Sequence, residues 1–362
     1  MKFKIPGTAP LTLQASEGAA LAPPMAPIPP IAATRSLSIL IVTYNSAGQI
    51  SPLLQSLRFA AAARRWQVIV VDNASHDGTA EVVRQRHPWV KLVCSEVNLG
   101  FAAGNNLAAR HADGQVLLLL NPDALVRPET IELGVQRMLA EPGVGIAGGR
   151  LTGEDGSDQP SARMFPSMFN DALALTGLAA RYSRSRLFGR ADRTWSDPAR
   201  PARVDWVPGA FALIRHQLFR DLGGFDTRFF LYYEEVDLCR RARALGADVM
   251  YWPELVVRHI GGVSARSVNR EHGEDFSGNG SQLSLWRMRS GLLYYYKHHG
   301  RLNARLASTL ELSWHALRAL RNRWNHGEDA QRKSLQSRRQ ISLLRRAWRD
   351  TMGGRVAPPT PW

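Results

Sequence analysis

Five apolar residues in a row, Val116-Leu117-Leu118-Leu119-Leu120, are followed at once by Asn121-Pro122-Asp123. Such a run predicts a strand buried on both faces, as in a mostly parallel sheet covered by helices. Pro122 ends the strand, because proline has no amide hydrogen to give to a ladder. Asp123 is thereby held just past the carboxyl end of a central strand, the edge where open α/β sheets bind ligands. A carboxylate there is placed to hold a hard cation, and a diphosphate on that cation. All three residues also favour turns, so the tripeptide alone does not separate a binding edge from an ordinary loop.

The flanking sequence extends the pattern. Strands are expected at Ser38–Val42, Val68–Val71, Lys91–Ser95 and Val116–Leu120, with helices at Pro52–Ala63, Thr79–Arg86 and Ala102–His111. This alternation argues for parallel strands joined by right-handed crossovers. Polar punctuation follows the first, second and fourth strands: Thr43-Tyr44-Asn45, Asp72-Asn73-Ala74-Ser75 and Asn121-Pro122-Asp123. Parallel strands bring these segments to one sheet edge. Residues 150–200 have poor periodicity and read as a substrate-covering or acceptor loop. Val204–Ile214 reads as strand, turn and strand around Pro208-Gly209. Glu234–Leu245 reads as a helix with acids in its first turn and arginines towards its end, as the helix dipole favours.

Composition sets the outer limits. With 44% hydrophobic residues in 362, the chain can bury a sizeable core. Two cysteines, Cys94 and Cys239, are too few for a disulfide framework and fit a reducing compartment. Lys2 and Lys4 precede a stretch broken by Pro and Gly, not a secretory apolar region. No apolar run approaches the roughly 20 residues of a spanning helix. The expectation is a cytoplasmic protein, peripheral on the inner face of the cell membrane.

Three segments result. Residues 1–36 contain seven prolines and are expected to be a disordered tail. Residues 37–270 are expected to form the α/β domain, and 271–362 a basic amphipathic helical region. The net charge is +15, and Val263 to Trp362 alone holds 18 Lys and Arg against 7 Asp and Glu. That imbalance points to an anionic partner, a membrane surface or a nucleic acid. Leu302, Leu306, Leu310, Leu317, Leu320 and Trp324 recur at helical spacing as one apolar stripe, flanked by Arg318, Arg321 and Arg323. A helix packed on the α/β domain with a solvated basic face is the plain alternative to a membrane-surface element.

The ordered motifs resemble the inverting glycosyltransferases of family 2. Those motifs are Ile41-Val42-Thr43-Tyr44-Asn45, Val71-Asp72-Asn73-Ala74-Ser75, Asp77-Gly78-Thr79 and Asn98-Leu99-Gly100-Phe101 with Gly104-Asn105-Asn106. Asn121-Pro122-Asp123, Gly209-Ala210-Phe211 and Gly223-Gly224-Phe225-Asp226 follow, then Phe229 to Leu238 and His259. The blocks look most like the rhamnosyltransferase branch, which uses dTDP-rhamnose and often a lipid-linked acceptor. The resemblance implies a GT-A fold with a mostly parallel central sheet flanked by helices. It also implies a nucleoside-diphosphate sugar donor, with dTDP or UDP as carrier, and Mg²⁺ or Mn²⁺.

An inverting transfer needs a base for the acceptor hydroxyl and stabilisation of the departing diphosphate. The second task falls to a metal on Asp123, with His259 as a second ligand by resemblance. The base is expected within Glu234, Glu235 and Asp237, where crowded carboxylates push a pKa upward. The family usually reads Glu-Asp at the first two of these positions and uses the Asp. Here Glu235 occupies that place, and Glu235, then Glu234, is the expected base. Asp237 is expected to bond locally or orient a partner. Asp72 suits the N3–H of uracil or thymine, since a carboxylate accepts and cytosine has no hydrogen there. Thr43, Tyr44 and Asn45 should line the same pocket. Asn98, Gly100, Phe101 and Asn105 should shape the floor under the ribose and diphosphate, with Phe101 more a core residue than a contact; Asn121 is a further donor-binding residue, and Gly209 belongs to the wall near the donor sugar. Trp206 is a sugar platform or a core residue.

Two other readings compete. A nucleic-acid-binding protein would explain the charge, but no RNA or zinc motif accompanies it. A non-catalytic nucleotide-binding scaffold would explain Glu235 in place of Asp. A dehydrogenase is disfavoured, because Thr43 to Gly48 lacks the spaced glycines of a dinucleotide fingerprint.

Overall fold

Residues 35–260, 282–324 and 327–360 are described in this computed structural model. The proline-rich segment up to residue 34 lies outside them, as do Gly261, Gly262 and Ser264. The first strand, β1 (Arg35–Thr43), starts three residues before the expected Ser38. It is followed by α1 (Ala47–Arg64), β2 (Gln67–Asn73), α2 (Thr79–Arg86), β3 (Lys91–Ser95), α3 (Gly100–Ala109) and β4 (Gly114–Leu120). Then come β5 (Ala124–Leu125), α4 (Pro128–Ala140), β6 (Val144–Thr152), α5 (Met168–Leu175), α6 (Leu178–Arg181), β7 (Ala202–Arg203) and β8 (Phe211–Arg215). The sheet-bearing part closes with α7 (His216–Asp221), α8 (Glu234–Ala244) and β9 (Asp248–His259). Two further helices follow, α9 (Gln282–Arg321) and α10 (Glu328–Asp350).

The sheet runs β3-β2-β1-β4-β8-β6-β9-β5, with β7 beside β9. The first four strands in that order are parallel, as the alternation predicts. The rest is mixed: β8 is antiparallel to both β4 and β6, while β6 and β9 are parallel. The sheet is therefore less parallel than expected. The reversal comes from Val204–Ile214, of which only Phe211 onward is a strand of this central sheet; Arg163 and Trp206 form a lone bridge before it.

Strand β4 shows why the apolar run is continuous. Val116, Leu118 and Leu120 face one core, beneath α1 and α4, and Leu117 and Leu119 face the other, beneath α3 and α8. All five are at most 2% exposed, and each such leucine contributes about 2 kcal/mol by leaving water. The chain steps outward from β1 to β2 and β3, then returns to the other side of β1 as β4. The crevice between the carboxyl ends of β1 and β4 is thus the switch point, where such sheets bind ligands.

Two details position the far half of the site. Strand β9 contains Pro253, which sits where the ladder with β6 jumps from Gly149–Trp252 to Arg150–Val256. A proline in a strand is tolerated at such a bulge. Gly149 lets the bulge close, since a Cβ there would lie 2.1 Å from the Leu255 carbonyl oxygen. The end of β9 then pairs with β5, setting His259 opposite Ala124.

The first half of α9 docks on the sheet-bearing part through Leu293 and Tyr294, and it forms a small core of its own with α10 around Leu285, Met288, Leu292, Leu344 and Ala347. A left-handed Gly300 kinks the helix. Beyond the kink, Leu302, Leu317 and Trp324 are 61–69% exposed, and Leu306, Leu310 and Leu320 are also exposed. The apolar stripe read from the sequence faces outward. No helix among the described residues is long and apolar enough to cross a membrane.

Candidate active site

Asp123 and His259 meet although 136 positions separate them in sequence. The β5–β9 pairing brings them together, and the Ile260 amide donates to the Asp123 carbonyl at 3.1 Å. His259 Nε2 lies 3.4 Å from Asp123 Oδ1 and 3.3 Å from Asn121 Nδ2. The other ring nitrogen is held by Gln159. Its Nε2 donates to the His259 carbonyl at 2.9 Å, which turns its Oε1 to His259 Nδ1, also at 2.9 Å. The proton is therefore assigned to Nδ1, and the Nε2 lone pair faces the carboxylate. A lone pair and a carboxylate oxygen directed at one point suit a cation, with its remaining positions open to diphosphate oxygens. A hydrogen-bonded outer ligand of this kind orients a metal-binding imidazole. Among the described residues, no third His, Cys, Asp or Glu joins the pair. Gln159 lies in the stretch with no readable periodicity, and nothing in the sequence marks it.

The neighbouring edge is a closed polar net. Thr43 and Asp72 are register partners across β1 and β2, and Thr43 Oγ1 donates to Asp72 Oδ1 at 3.2 Å. Asp72 Oδ2 accepts from the Ser75 amide at 3.0 Å. Asp72 is 3% exposed and keeps lone pairs beyond these two bonds. Asn45, at φ 48°, accepts the His76 amide on its side chain, which clasps the two loops together. Tyr44 is half-buried at the same rim.

The asparagines divide into two kinds. Asn121 stands beside His259. Asn98 and Asn105 serve the local backbone: Asn98 accepts the Gly100 amide, and Asn105, 1% exposed, donates to the Phe101 carbonyl. Asn73 and Asn106, which the sequence reading left without roles, are locks. Asn73 bonds Leu99 and Gly100, and Asn106 bonds both backbone groups of Phe225. Gly100, at φ 77°, is where a Cβ would lie 2.3 Å from the Phe230 carbonyl oxygen. Only glycine lets this loop touch the segment leading to the acids.

That segment carries two residues in the left-handed region, Tyr232 at φ 69° and Tyr233 at φ 68°. Strain of this kind persists only where the surroundings hold it. Here Ser290 bonds the Leu231 carbonyl, and Tyr233 packs on Tyr294, both from α9. The turn starts α8 at Glu234 and directs Glu234 and Glu235 inward, each with a carboxylate oxygen lacking a side-chain or backbone partner. Burial, and then the Glu235 charge, push the Glu234 carboxyl well above the ordinary range. Burial pushes Glu235 up as well, although the Gly209 amide and Arg163 hold part of it back. Gly209 joins the two halves: its amide serves Glu235, and the carbonyl of the next residue, Ala210, accepts the Asn121 amide at 3.1 Å. Trp206, 9% exposed with its indole N–H on the Met164 carbonyl, belongs to the core.

Asp237 points elsewhere. Its fully buried carboxylate meets Arg241 at 2.8 Å, Lys297 at 2.6 Å and His298 at 2.7 Å. Burial alone would raise its pKa, but His298, Arg241 and Lys297 outweigh it and hold the carboxyl below the usual range. Its place is the seam with α9.

The comparisons with known proteins agree with these motifs. The model of glycosyl transferase family 2 matches residues 38–223. An N-acetylglucosaminyl-diphospho-decaprenol L-rhamnosyltransferase of Mycobacterium tuberculosis is 31% identical over 238 residues, covering 62% of this chain and 76% of the relative. The rhamnosyltransferase WbbL of Escherichia coli K12 is 26% identical over 230 residues, covering 61% and 82% respectively. Among solved structures, a mannosyltransferase from Pyrobaculum calidifontis in complex with GDP-Man and Mn²⁺ aligns at 17% identity and a TM-score of 0.48, over 88% of this chain and 89% of that one. The chain belongs to glycosyl transferase family 2, as a sugar-transferring enzyme of rhamnosyltransferase-like sequence.

Proposed function

We propose that this enzyme moves a sugar, with inversion, from a nucleoside-diphosphate donor to a hydroxyl of a polyprenyl-diphosphate-linked glycan at the inner membrane face. The favoured donor is dTDP-rhamnose. The observation that carries the reading is the Asp123–His259 pair, whose imidazole lone pair is turned to the carboxylate by Gln159. The mycobacterial relative's name supports the sugar and acceptor.

In this mechanism Asp72 accepts the base N3–H, with Thr43, Tyr44 and Asn45 around the nucleoside. A divalent cation, Mg²⁺ or Mn²⁺, held by Asp123 and His259, would supply charge neutralisation for the leaving diphosphate. Glu235 takes the acceptor hydroxyl proton as the new oxygen–carbon bond forms and the bond to the diphosphate breaks. Its raised pKa makes it a stronger base than an exposed glutamate. Glu234, raised by burial and by the Glu235 charge, stays protonated beside it. Asp237 holds α8 against α9 and positions the acids.

Calorimetric titration with dTDP and UDP, with and without Mn²⁺, tests the donor site. Metal-dependent binding that disappears in Asp123→Ala is expected. Absence of binding to either nucleotide in every condition would overturn the reading. Turnover of dTDP-rhamnose with a polyprenyl-diphosphate-linked acceptor tests the rest.

A further inference from the structure

A cavity of about 950 Å³ opens between α9 and α10, away from the donor site. Five arginines line it, Arg301 and Arg305 from α9 and Arg338, Arg345 and Arg349 from α10, with Trp348 at its wall and no carboxylate among its lining residues. The spacing of four between Arg301 and Arg305, and between Arg345 and Arg349, stacks each pair on one helix face. Asp329 pairs with Arg332 and Lys333, and Asp350 with Arg289 and Arg346, while Glu311 of α9 lines a separate, smaller cavity. Among the described residues, none of the five lining guanidiniums forms an ion pair. Concentrating that much like charge is unfavourable unless an anion enters.

The apolar stripe supplies the second half of the pattern. Leu302, Leu306 and Leu310 each follow a cavity-lining residue by one position, Arg301, Arg305 and Thr309. One position is about 100° around a helix, so the exposed leucines run alongside the arginine-lined cavity. Leu317, Leu320 and Trp324 extend the exposed row. A ligand that satisfies both faces carries phosphate beside hydrocarbon. Nucleic acid satisfies only the first, because leucines offer no stacking platform for bases.

We propose that the cavity between α9 and α10 binds the phosphate of an anionic lipid at a bilayer surface, while the leucine row enters the adjoining acyl region. This deepens the lipid-acceptor reading above. The cavity also shares Ser308 with a second one, of about 300 Å³, that reaches Tyr233 at the start of the acid helix. The lipid site therefore lies on the side of the molecule from which α9 braces Glu234 and Glu235.

The test is co-sedimentation of the full chain with vesicles of phosphatidylcholine alone, or of phosphatidylcholine with about one-third phosphatidylglycerol. Binding to the anionic vesicles is expected, with at least tenfold weaker binding to neutral ones. An arginine at an anionic surface is worth about fivefold in affinity, so the variant R301Q/R305Q/R345Q should bind about a hundredfold more weakly. L306S/L310S should also lose binding, and dTDP–Mn²⁺ affinity should be unchanged in both variants. For the parent protein alone, raising salt from about 0.1 M to about 0.5 M should release it from anionic vesicles. Equal binding to both vesicle types, no binding to either, parent-like binding by the arginine variant, or preference for a short DNA duplex over anionic vesicles would each overturn the proposal. Transfer to a detergent-dispersed acceptor that survives while vesicle binding fails would sink only this site. Vesicle binding without any transfer would sink only the function proposed above.

Discussion

The sheet edge and the far half of α9 use apolar residues in opposite ways. In β4, five consecutive apolar side chains are hidden between two helical layers, and polar groups begin where the strand ends. Beyond Gly300, six apolar side chains at helical spacing are exposed beside arginines that form no ion pair among the described residues. The same kind of signal, an apolar pattern bounded by polar residues, therefore marks a core in one region and a surface in the other. What differs is whether a second layer exists to cover it. The helical layers on both sheet faces cover β4, whereas α10 packs on the opposite side of α9 from the leucine row.

Breaking this comparison on the sheet side should give the largest effects. Glu235→Gln should lower turnover by about 10²–10⁴-fold, the usual worth of a positioned base, with nucleotide affinity unchanged. In the parent enzyme, activity should rise with pH through a midpoint above that of an ordinary glutamate. The same substitution should raise the melting temperature near neutral pH. A carboxyl whose folded pKa is raised stabilises below its unfolded value, and that contribution is lost as pH rises through the folded one. Thermal scans of both proteins across that window check the sign.

Leu118→Ala should cost about 3–4 kcal/mol in denaturant unfolding, since it opens a cavity in a core already packed on both sides. Asp237→Asn should cost about 3 kcal/mol, because it leaves Arg241 and His298 facing a neutral group in the seam. Acid should do the same gradually. The Asp226 carboxyl is pushed up by burial but held lower still by Arg228 and Lys297, and Asp237 is depressed likewise. Their stabilisation is complete above the unfolded value of about 3.9 and is lost as pH falls through the lower folded ones. Melting temperature against pH below about 5 should show this loss in the parent and less of it in Asp237→Asn.

Gln159→Leu should weaken metal-dependent nucleotide binding by about 10–100-fold, the usual cost of losing a partner behind a ligating histidine. The smallest effect belongs to the exposed row. Leu317→Ser should change stability by less than about 0.5 kcal/mol, since little burial is lost. A larger change would mean that the row is covered in solution, and the contrast with β4 would then collapse.

Much of the nucleotide half was legible because its signals are local. Helix α2 and strand β3 have the predicted ends, and Thr43 and Asp72, at the ends of their strands, and Asn121, just past its own, share one edge because parallel strands share a direction. Strand β8 follows Gly209 as expected, but its antiparallel direction was not legible, since a short apolar run carries no sign of whether it pairs parallel or antiparallel. Helix α1 begins at Ala47, earlier than expected, and runs through Pro52 in its second turn.

The sequence by itself determined the local pieces: a buried strand ending in Asn-Pro-Asp, a pair of glutamates at a helix start, and a basic, leucine-bearing C-terminal region. Only the tertiary structure decided their partners. The β5–β9 pairing set His259 against Asp123, Gln159 turned the imidazole nitrogen Nε2 toward it, and α9 took Asp237 out of the acid cluster. The physical reason is range. Side-chain periodicity and turn chemistry act over a few residues, whereas a hydrogen bond from position 159 to 259, or an ion pair from 237 to 297, exists only after the sheet has closed.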